Sequence, residues 1–321
     1  MTADPAAVEL LQRARTSYPT LDYAALTPEV LAELTLEHRV DFATALWYDR
    51  VRSAEPHRAF IVAVEALDAD AALPPTSARV LVAPAAFWRE YPQFGADGAA
   101  VLAVARDLGL DAEMIRTPST GSVSENARVI REALEKEADG SVILASLSKG
   151  GADVRAALEQ DPALARKVRA WINVCGILHG SPLVDEMLDG SWWRRLAVRA
   201  FLARWRAGFG LLRELRHAPF PRAAAPPGVY VVNVVACPLT THTAGAITRR
   251  HRQLAALGPN DGSTLLTDAI VDGGVIYPVW GADHYFRTPD APVLIRRILL
   301  QLGADGHLAV RSNVESSPLT R

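Results

Sequence analysis

Ser148 lies in the part of this sequence where a side chain is best placed to become reactive. It follows the apolar run 142–146 and Leu147, and it is followed at once by Lys149-Gly150-Gly151 and a helix-like segment. A strand that turns directly into a helix holds the residue at the turn in a strained conformation, with its side chain exposed. Side chains two positions away would collide there, but Ser146 and Gly150 are small enough to fit. A serine hydroxyl held in this way can act as a nucleophile.

The same segment has a simpler interpretation as a strand end followed by a helix N-cap, for which serine is a favoured residue. Centring the turn on Ser146 instead would put Leu144 where a small side chain is needed. The position of Ser148 between a strand-like and a helix-like segment favours the nucleophile.

Short apolar runs alternate with longer amphipathic segments after the break at Leu73-Pro74-Pro75-Thr76. This alternation predicts an α/β fold with a mostly parallel sheet of about six strands, covered by helices on both faces. The predicted strands are residues 80–83, 112–115, 142–146, 170–174, 229–235 and 275–279.

His284 completes a resemblance to the α/β-hydrolase superfamily, nearest to lipase-like bacterial esterases, over about residues 76–302. Residues 146–150 resemble the nucleophile elbow, with Ser146 in place of the usual first glycine. In that superfamily the general base follows the last strand, and here the run 275–279 leads to His284. A histidine can take a proton from serine and return it near neutral pH. His242, which follows the run 229–235, is a second candidate base.

The third member of a Ser-His-Asp set is harder to place. The stretch after the run 229–235 has no carboxylate, which departs from many hydrolases. The loop Gly258-Pro-Asn-Asp261-Gly resembles the Asp-Gly loop of bacterial lipases, which implies Asp261 as the acid. A plain turn is the alternative, since Asn-Asp-Gly favours turns. Asp268 is the second candidate acid.

The resemblance also implies two backbone donors for a developing oxyanion. One is the N–H of Lys149, directly after the nucleophile, and the other is the N–H of Ala86 in the loop after the first strand. Lipases carry a His-Gly pair in that loop, where this chain has Pro84-Ala85. Phe87 and Trp88 in the same loop are candidates for the substrate pocket.

The connection between the runs at 170–174 and 229–235 is too long for a simple crossover. It is rich in large apolar side chains, and it predicts a helical cap or lid over about residues 178–226. Trp192 and Trp193 in this cap are further pocket candidates. The Arg-rich segment 194–206 could contact a lipid surface, although packing on the protein's own core is favoured. The sequence predicts an N-terminal helical extension over residues 1–75 and the catalytic domain over residues 76–321.

Composition excludes some classes of function and limits others. The formal net charge of −2 gives no basic field for nucleic acid. No run of apolar residues is long enough to span a membrane, and the N-terminus shows no signal-peptide pattern. Cys175 and Cys237 lie in apolar runs and predict core thiols of a reduced, cytoplasmic protein. No residue cluster has the spacing of metal ligands, and no cofactor is expected.

The resemblance implies a serine hydrolase that cleaves a carboxylic ester or thioester with a hydrophobic part through an acyl-enzyme on Ser148. Two alternatives stay open at this point. One is acyl transfer to a nucleophile other than water, as in thioesterase-type cyclases. The other is a non-catalytic binding protein built on a hydrolase scaffold.

Overall fold

A computed structural model of the chain describes residues 5–286 and 288–308. Six strands in these residues form one sheet in the order β2-β1-β3-β4-β5-β6, and every neighbouring pair is parallel. The strands are β1 (Arg79–Ala83), β2 (Asp111–Met114), β3 (Val142–Leu147), β4 (Val168–Val174), β5 (Tyr230–Cys237) and β6 (Val275–Trp280). The prediction of about six strands is confirmed. The sequence predicts a polar tail from about Asp305, and the part of it beyond Leu308 lies outside the described residues.

Helices cover both faces of the sheet, as the sequence predicts. Those of the described residues are α1 (Pro5–Thr16), α2 (Pro28–His38), α3 (Val40–Ser53), α4 (His57–Ala66), α5 (Ala99–Asp107), α6 (Val123–Leu134), α7 (Lys149–Gln160), α8 (Pro182–Asp189), α9 (Trp192–Arg204), α10 (Gly210–Arg213), α11 (Ala246–Leu254) and α12 (Ala291–Ala304). Helices α4, α5 and α12 pack on one face, and α6 and α7 pack on the other. Strands covered on both faces need apolar side chains throughout, which explains the composition of β3 and β5.

The N-terminal helices are part of these layers. Phe42, Leu46 and Trp47 of α3 are buried in one apolar cluster with Val235 of β5 and Ile276 of β6. Helices α1 and α2 pack in turn on α3. The predicted N-terminal helical extension therefore covers the β5–β6 side of the sheet, where it removes apolar strand surface from water.

The order of the strands creates a crevice at one edge of the sheet. The chain passes from β1 outward to β2 and then returns to the other side of β1 as β3. In open parallel sheets, ligands bind outside the carboxyl ends of the strands at such a reversal. The loop that follows β1 and the turn that follows β3 both lie at this point.

The long connection between β4 and β5 holds helices α8, α9 and α10. The predicted insertion is helical, and its helices share an apolar cluster with Val123 of α6 and Ala152 of α7. Among residues 5–286 and 288–308, no helix has the length and apolar character needed to cross a membrane.

Candidate active site

The turn between β3 and α7 consists of Ser148 alone. Its backbone angles are φ 51° and ψ −117°, a region that residues other than glycine rarely occupy. Its N–H donates to the carbonyl of Val174 on the neighbouring strand, at 3.0 Å. The surrounding sheet thus holds the serine in this conformation, with its side chain half-buried at the crevice.

Small residues on either side allow this turn. A Cβ on Gly150 would lie 2.4 Å from the carbonyl oxygen of Ala83 and 2.8 Å from that of Pro84, so only glycine fits there. Ser146 is fully buried, and its hydroxyl accepts a hydrogen bond from the indole N–H of Trp171 at 2.8 Å. A serine in place of the usual glycine therefore fits, because its polar atom has a partner.

His284 lies in the loop between β6 and α12. Its Nε2 is 2.8 Å from the Ser148 hydroxyl oxygen, and its Nδ1 is 2.7 Å from the Asp261 carboxylate. The side chains of His284 and Asp261 are almost completely buried. An imidazole in this position can take the proton of the serine hydroxyl while the carboxylate fixes its tautomer and stabilises its protonated form.

The loop around Asp261 aims the carboxylate at the imidazole. One carboxylate oxygen accepts the N–H groups of Ser263 and Thr264 at 2.8 and 2.9 Å, which leaves the other oxygen for His284. The backbone N–H of His284 also donates to the carbonyl of Asp261 at 3.0 Å. The two loops are therefore joined both through their backbones and through their side chains.

The second candidates from the sequence have other partners. Asp268 accepts a hydrogen bond from Nε2 of His217 at 2.9 Å, and the pair raises the pKa of that histidine. His242 accepts the backbone N–H of Leu239 on its Nδ1 at 3.1 Å. The structure thus brings Asp261 into contact with His284, and it places neither second candidate in that chain of hydrogen bonds.

The two amides expected to face an oxyanion have no hydrogen-bond acceptor among the described residues. Lys149 occupies the first position of α7, where the helix leaves its N–H groups unpaired. The N–H groups on either side of Ala86 are both used, since Ala85 donates to Ala96 and Phe87 donates to Ser119, each at 2.8 Å. These two amides are free to bind a negatively charged oxygen.

A buried ion pair supports the start of α7. The ammonium of Lys149 lies 2.5 Å from the carboxylate of Asp153, and both side chains are 1% exposed. The other oxygen of Asp153 accepts the side-chain amide of Asn126 at 2.8 Å. Burial lowers the pKa of Lys149 and raises the pKa of Asp153 to about 6. Sequence reasoning missed this pair, because a Lys and an Asp four residues apart on a helix are usually exposed.

Two asparagines in the middle of apolar strands were also missed. Asn173 of β4 donates to the side-chain oxygen of Asn233 on β5 at 3.2 Å and to the carbonyl of Ala269 at 2.9 Å. Asn233 accepts the N–H of Val271 at 2.9 Å. The two residues attach the segment that follows the Asp261 loop to the sheet. The sequence signal that could have identified them is a polar residue inside an otherwise apolar strand, because a buried polar side chain needs a hydrogen-bond partner.

A cavity of about 910 Å³ opens beside Ser148 and His284, and its walls are mainly apolar. One side is formed by the cap, including Leu183, Val198 and Leu202. The other side reaches between the sheet and helices α5 and α12. It is lined by residues of the central core such as Val101, Ala145, Ile172, Val234 and Ile298.

Some of the predicted pocket residues line this cavity and others do not. Phe87 and Ala86 belong to its wall. Trp88 does not, and its indole N–H donates to the carbonyl of Thr117 at 3.2 Å. Trp192 and Trp193 are 54% and 64% exposed and are not among the residues that line the cavity. They occupy the first two positions of α9, ahead of the part of that helix that lines the cavity.

The exposed side chains of α9 bear on the expectation that this part of the cap packs on the protein's own core. Trp192, Trp193 and Leu196 leave more than half of their surface in solvent, so the favoured packing on the protein's own core is wrong for them. Arginines surround them in sequence. Aromatic residues beside basic ones suit a lipid surface, and a lipid contact of this helix stays a prediction.

Within residues 5–286 and 288–308, no three histidine, cysteine, aspartate or glutamate side chains come close enough together to hold a metal ion. Cys175 and Cys237 are both buried free thiols.

No family model and no curated protein matches the sequence. Among solved structures, the metagenomic carboxyl esterase MGS0156 aligns with a TM-score of 0.59 at 22% identity, over 73% of this chain and 78% of that chain. The mature form of lipase BlEst2 from Bacillus licheniformis aligns with a TM-score of 0.50 at 17% identity, over 74% of this chain and 94% of that chain. The parallel sheet, its helical layers and these alignments show that the chain has the α/β-hydrolase fold.

Proposed function

We propose that this protein is a serine hydrolase that cleaves a carboxylic ester or thioester with a hydrophobic part, using Ser148 as its nucleophile. The observation that carries the proposal is the continuous hydrogen-bonded chain from Ser148 through His284 to Asp261, with contacts of 2.8 and 2.7 Å. A strained serine, a histidine within reach and a buried carboxylate that orients it are the parts that acyl transfer requires.

The reaction has two steps in this proposal. The Ser148 oxygen attacks the acyl carbon while His284 takes the hydroxyl proton, and the N–H groups of Lys149 and Ala86 stabilise the oxyanion that forms. The bond to the leaving oxygen or sulfur then breaks, and His284 gives it the proton. Water, activated by the same histidine, releases the acid from the acyl-enzyme. Asp261 stabilises the imidazolium in both steps.

Labelling with a fluorophosphonate probe tests the proposal most directly, because the probe reacts only with an activated serine. We expect peptide mass mapping to locate the label on Ser148, and we expect Ser148→Ala and His284→Ala to abolish it. Folded wild-type protein that takes no label at Ser148 would contradict the proposal. In that case the apolar cavity would support a binding protein on a hydrolase scaffold.

Acyl transfer is the alternative within enzymes, because the same intermediate can be attacked by an alcohol or an amine. The mainly apolar walls of the cavity are the feature that favours it, because they suit an apolar acceptor better than water. Analysing the products formed in the presence of a competing alcohol separates transfer from hydrolysis.

The cytoplasmic location expected from the sequence stays a prediction.

The substitution Gly150→Ala is expected to damage the oxyanion site. The new Cβ would lie 2.4 Å from the carbonyl oxygen of Ala83, so the loop that carries Ala86 has to move. The loss of one donor costs about 10²- to 10³-fold in kcat, and ester hydrolysis by the purified variant measures it. Gly208→Ala is the matched control, since its Cβ meets nothing closer than 3.9 Å. Equal activity of the two variants would contradict the assignment of Ala86.

The core side of the cavity is expected to hold the hydrophobic part of the substrate. Ala145 lines it from β3, and Ala145→Leu would fill part of the space. If the new side chain displaces two methylene groups of the longer acyl chain from apolar contact, kcat/KM for an octanoate ester should fall roughly tenfold relative to a butanoate ester. The control, Ala157→Leu, adds the same volume at a buried position on the other face of the sheet. An unchanged ratio in Ala145→Leu would place the acyl chain elsewhere.

A further inference from the structure

Arg250 of α11 is the one cationic side chain among the described residues that line the cavity, and no described carboxylate lines it. The residue is half-buried, and it forms no ion pair within the described parts of the chain. Its guanidinium donates to the hydroxyl of Tyr285 at 3.4 Å. Most of its hydrogen-bonding capacity is therefore not used by the described residues.

A guanidinium beside apolar walls loses part of its hydration, and it recovers that free energy only by pairing with an anion. The neighbouring residues of α11 provide no such anion. Arg249 and Arg252 add two more positive charges to the exposed face of the helix, and neither pairs with a carboxylate of a described residue. The charged side chains of α11 at this wall and beside it are therefore positive.

Arg250 lies on the wall of the cavity that carries the general base. Tyr285, its hydrogen-bond partner, follows His284 directly, and the Tyr285 ring stacks on Phe94 with centroids 4.5 Å apart and planes 8° from parallel. Because His284 passes its proton to the leaving group, the leaving group has to lie on the side of this histidine. The arginine is thus next to the alcohol or thiol part of the substrate, away from the apolar core side.

We propose that Arg250 binds an anionic group, a carboxylate or a phosphate, on the alcohol or thiol part of the ester. This inference rests on the proposed function and adds a substrate class to it: an amphipathic ester or thioester with an apolar acyl group and a negatively charged leaving group. A planar guanidinium suits both anions, since it can donate two parallel hydrogen bonds to either.

Three butanoate esters with similar leaving groups test the proposal. Their leaving groups are 4-hydroxybenzoate, which carries a carboxylate, 4-hydroxybenzamide, which is its neutral counterpart, and 4-hydroxyphenyl phosphate. We expect wild-type kcat/KM to favour the anionic esters over the neutral one by roughly tenfold, the effect of one charge-assisted pair. The better of the two anionic esters identifies the source of the charge as carboxylate or phosphate. Added salt should reduce the preference.

In Arg250→Gln, which keeps a polar side chain of similar length, the ratio of anionic to neutral kcat/KM should fall by about the same factor. Arg250→Lys should retain part of it. Arg249→Gln removes the same charge from the exposed face of the same helix, and it should keep the wild-type ratio. A wild-type enzyme without the preference, or one whose preference survives in Arg250→Gln, would overturn the proposal.

Binding of the intact esters to Ser148→Ala, measured by calorimetry, separates this inference from the proposed function. If no ester is cleaved but the anionic esters still bind more tightly to Ser148→Ala than to Ser148→Ala with Arg250→Gln, the hydrolase assignment fails and the anion site stands. If the esters are cleaved without any dependence on Arg250, the anion site fails and the hydrolase assignment stands.

Discussion

Asp261→Asn is expected to lower kcat for ester hydrolysis by about 10⁴-fold while the protein stays folded. The asparagine keeps the shape of the side chain, but it cannot stabilise the imidazolium, and its amide can donate to Nδ1 of His284 and fix the wrong tautomer. The carboxylate is 2.7 Å from that nitrogen. Steady-state kinetics with a butanoate ester, together with a thermal unfolding curve, measures both effects.

Asp268→Asn is the matched control for this prediction, because Asp268 is also a buried carboxylate that pairs with a histidine, seven positions further along the same segment. It should lose far less activity, since its partner is His217. It should also lose stability at low pH, where His217 is protonated and paired in the wild type. A larger loss of activity in Asp268→Asn than in Asp261→Asn would show that the acid has been assigned to the wrong residue.

Lys149→Met is expected to destabilise the protein by about 3–5 kcal/mol, because it leaves the carboxylate of Asp153 buried without its cation. Both side chains are 1% exposed, so water cannot replace the lost partner. Urea unfolding followed by circular dichroism measures the free energy of unfolding. Adding Asp153→Leu to Lys149→Met should recover most of the loss, since a buried pair can be replaced by apolar side chains at little cost.

The destabilisation of Lys149→Met should grow as the pH rises. Burial raises the pKa of Asp153 from its ordinary value of 3.8 to about 6, so the folded protein favours the protonated carboxyl. The stability that this contributes is present at low pH and is lost as pH increases through about 6. The Lys149 cation lowers the pKa of Asp153 in the wild type, so its removal makes the stability depend more strongly on pH. If Lys149→Met lowers the free energy of unfolding by the same amount at about pH 5 and at about pH 8, the buried-pair explanation is contradicted.

The elements and two of the three principal site residues are local features of the sequence. A run of apolar residues that ends in Ser-Leu-Ser-Lys-Gly-Gly can be recognised as a strand, a turn and a helix, because steric limits at the turn act over only a few residues. His284 was recognisable for a similar reason, since it follows the last strand of an ordered series. These features were predicted correctly as positions in the chain, and their chemical roles stay proposals.

The choice between Asp261 and Asp268 needed the tertiary structure. Both lie in the same connection, and either could have reached the imidazole on spacing alone. What separates them is the turn in which Ser263 and Thr264 bind one oxygen of Asp261, so that the other oxygen points to His284. Such a turn depends on contacts between two loops, which no short sequence pattern records.

The cap shows the same limit in its packing. Its apolar composition predicted an insertion above the site, but composition does not say which side chains face inward. Trp192 and Trp193 were expected in the pocket and lie in solvent, whereas Leu202 of the same helix is 2% exposed and lines the cavity. The orientation of a helix is set by the surface on which it packs, and that surface comes from distant parts of the chain.

The sequence by itself determined the order of strands and helices, the strained serine and the histidine that follows the last strand, because these depend on periodicity and on sterics over a few residues. Only the tertiary structure decided which aspartate joins the histidine, which side chains form the cavity wall, and that Arg250 faces that cavity while Arg249 faces solvent. These features depend on contacts between segments far apart in the chain, and such contacts exist only once the whole fold has formed.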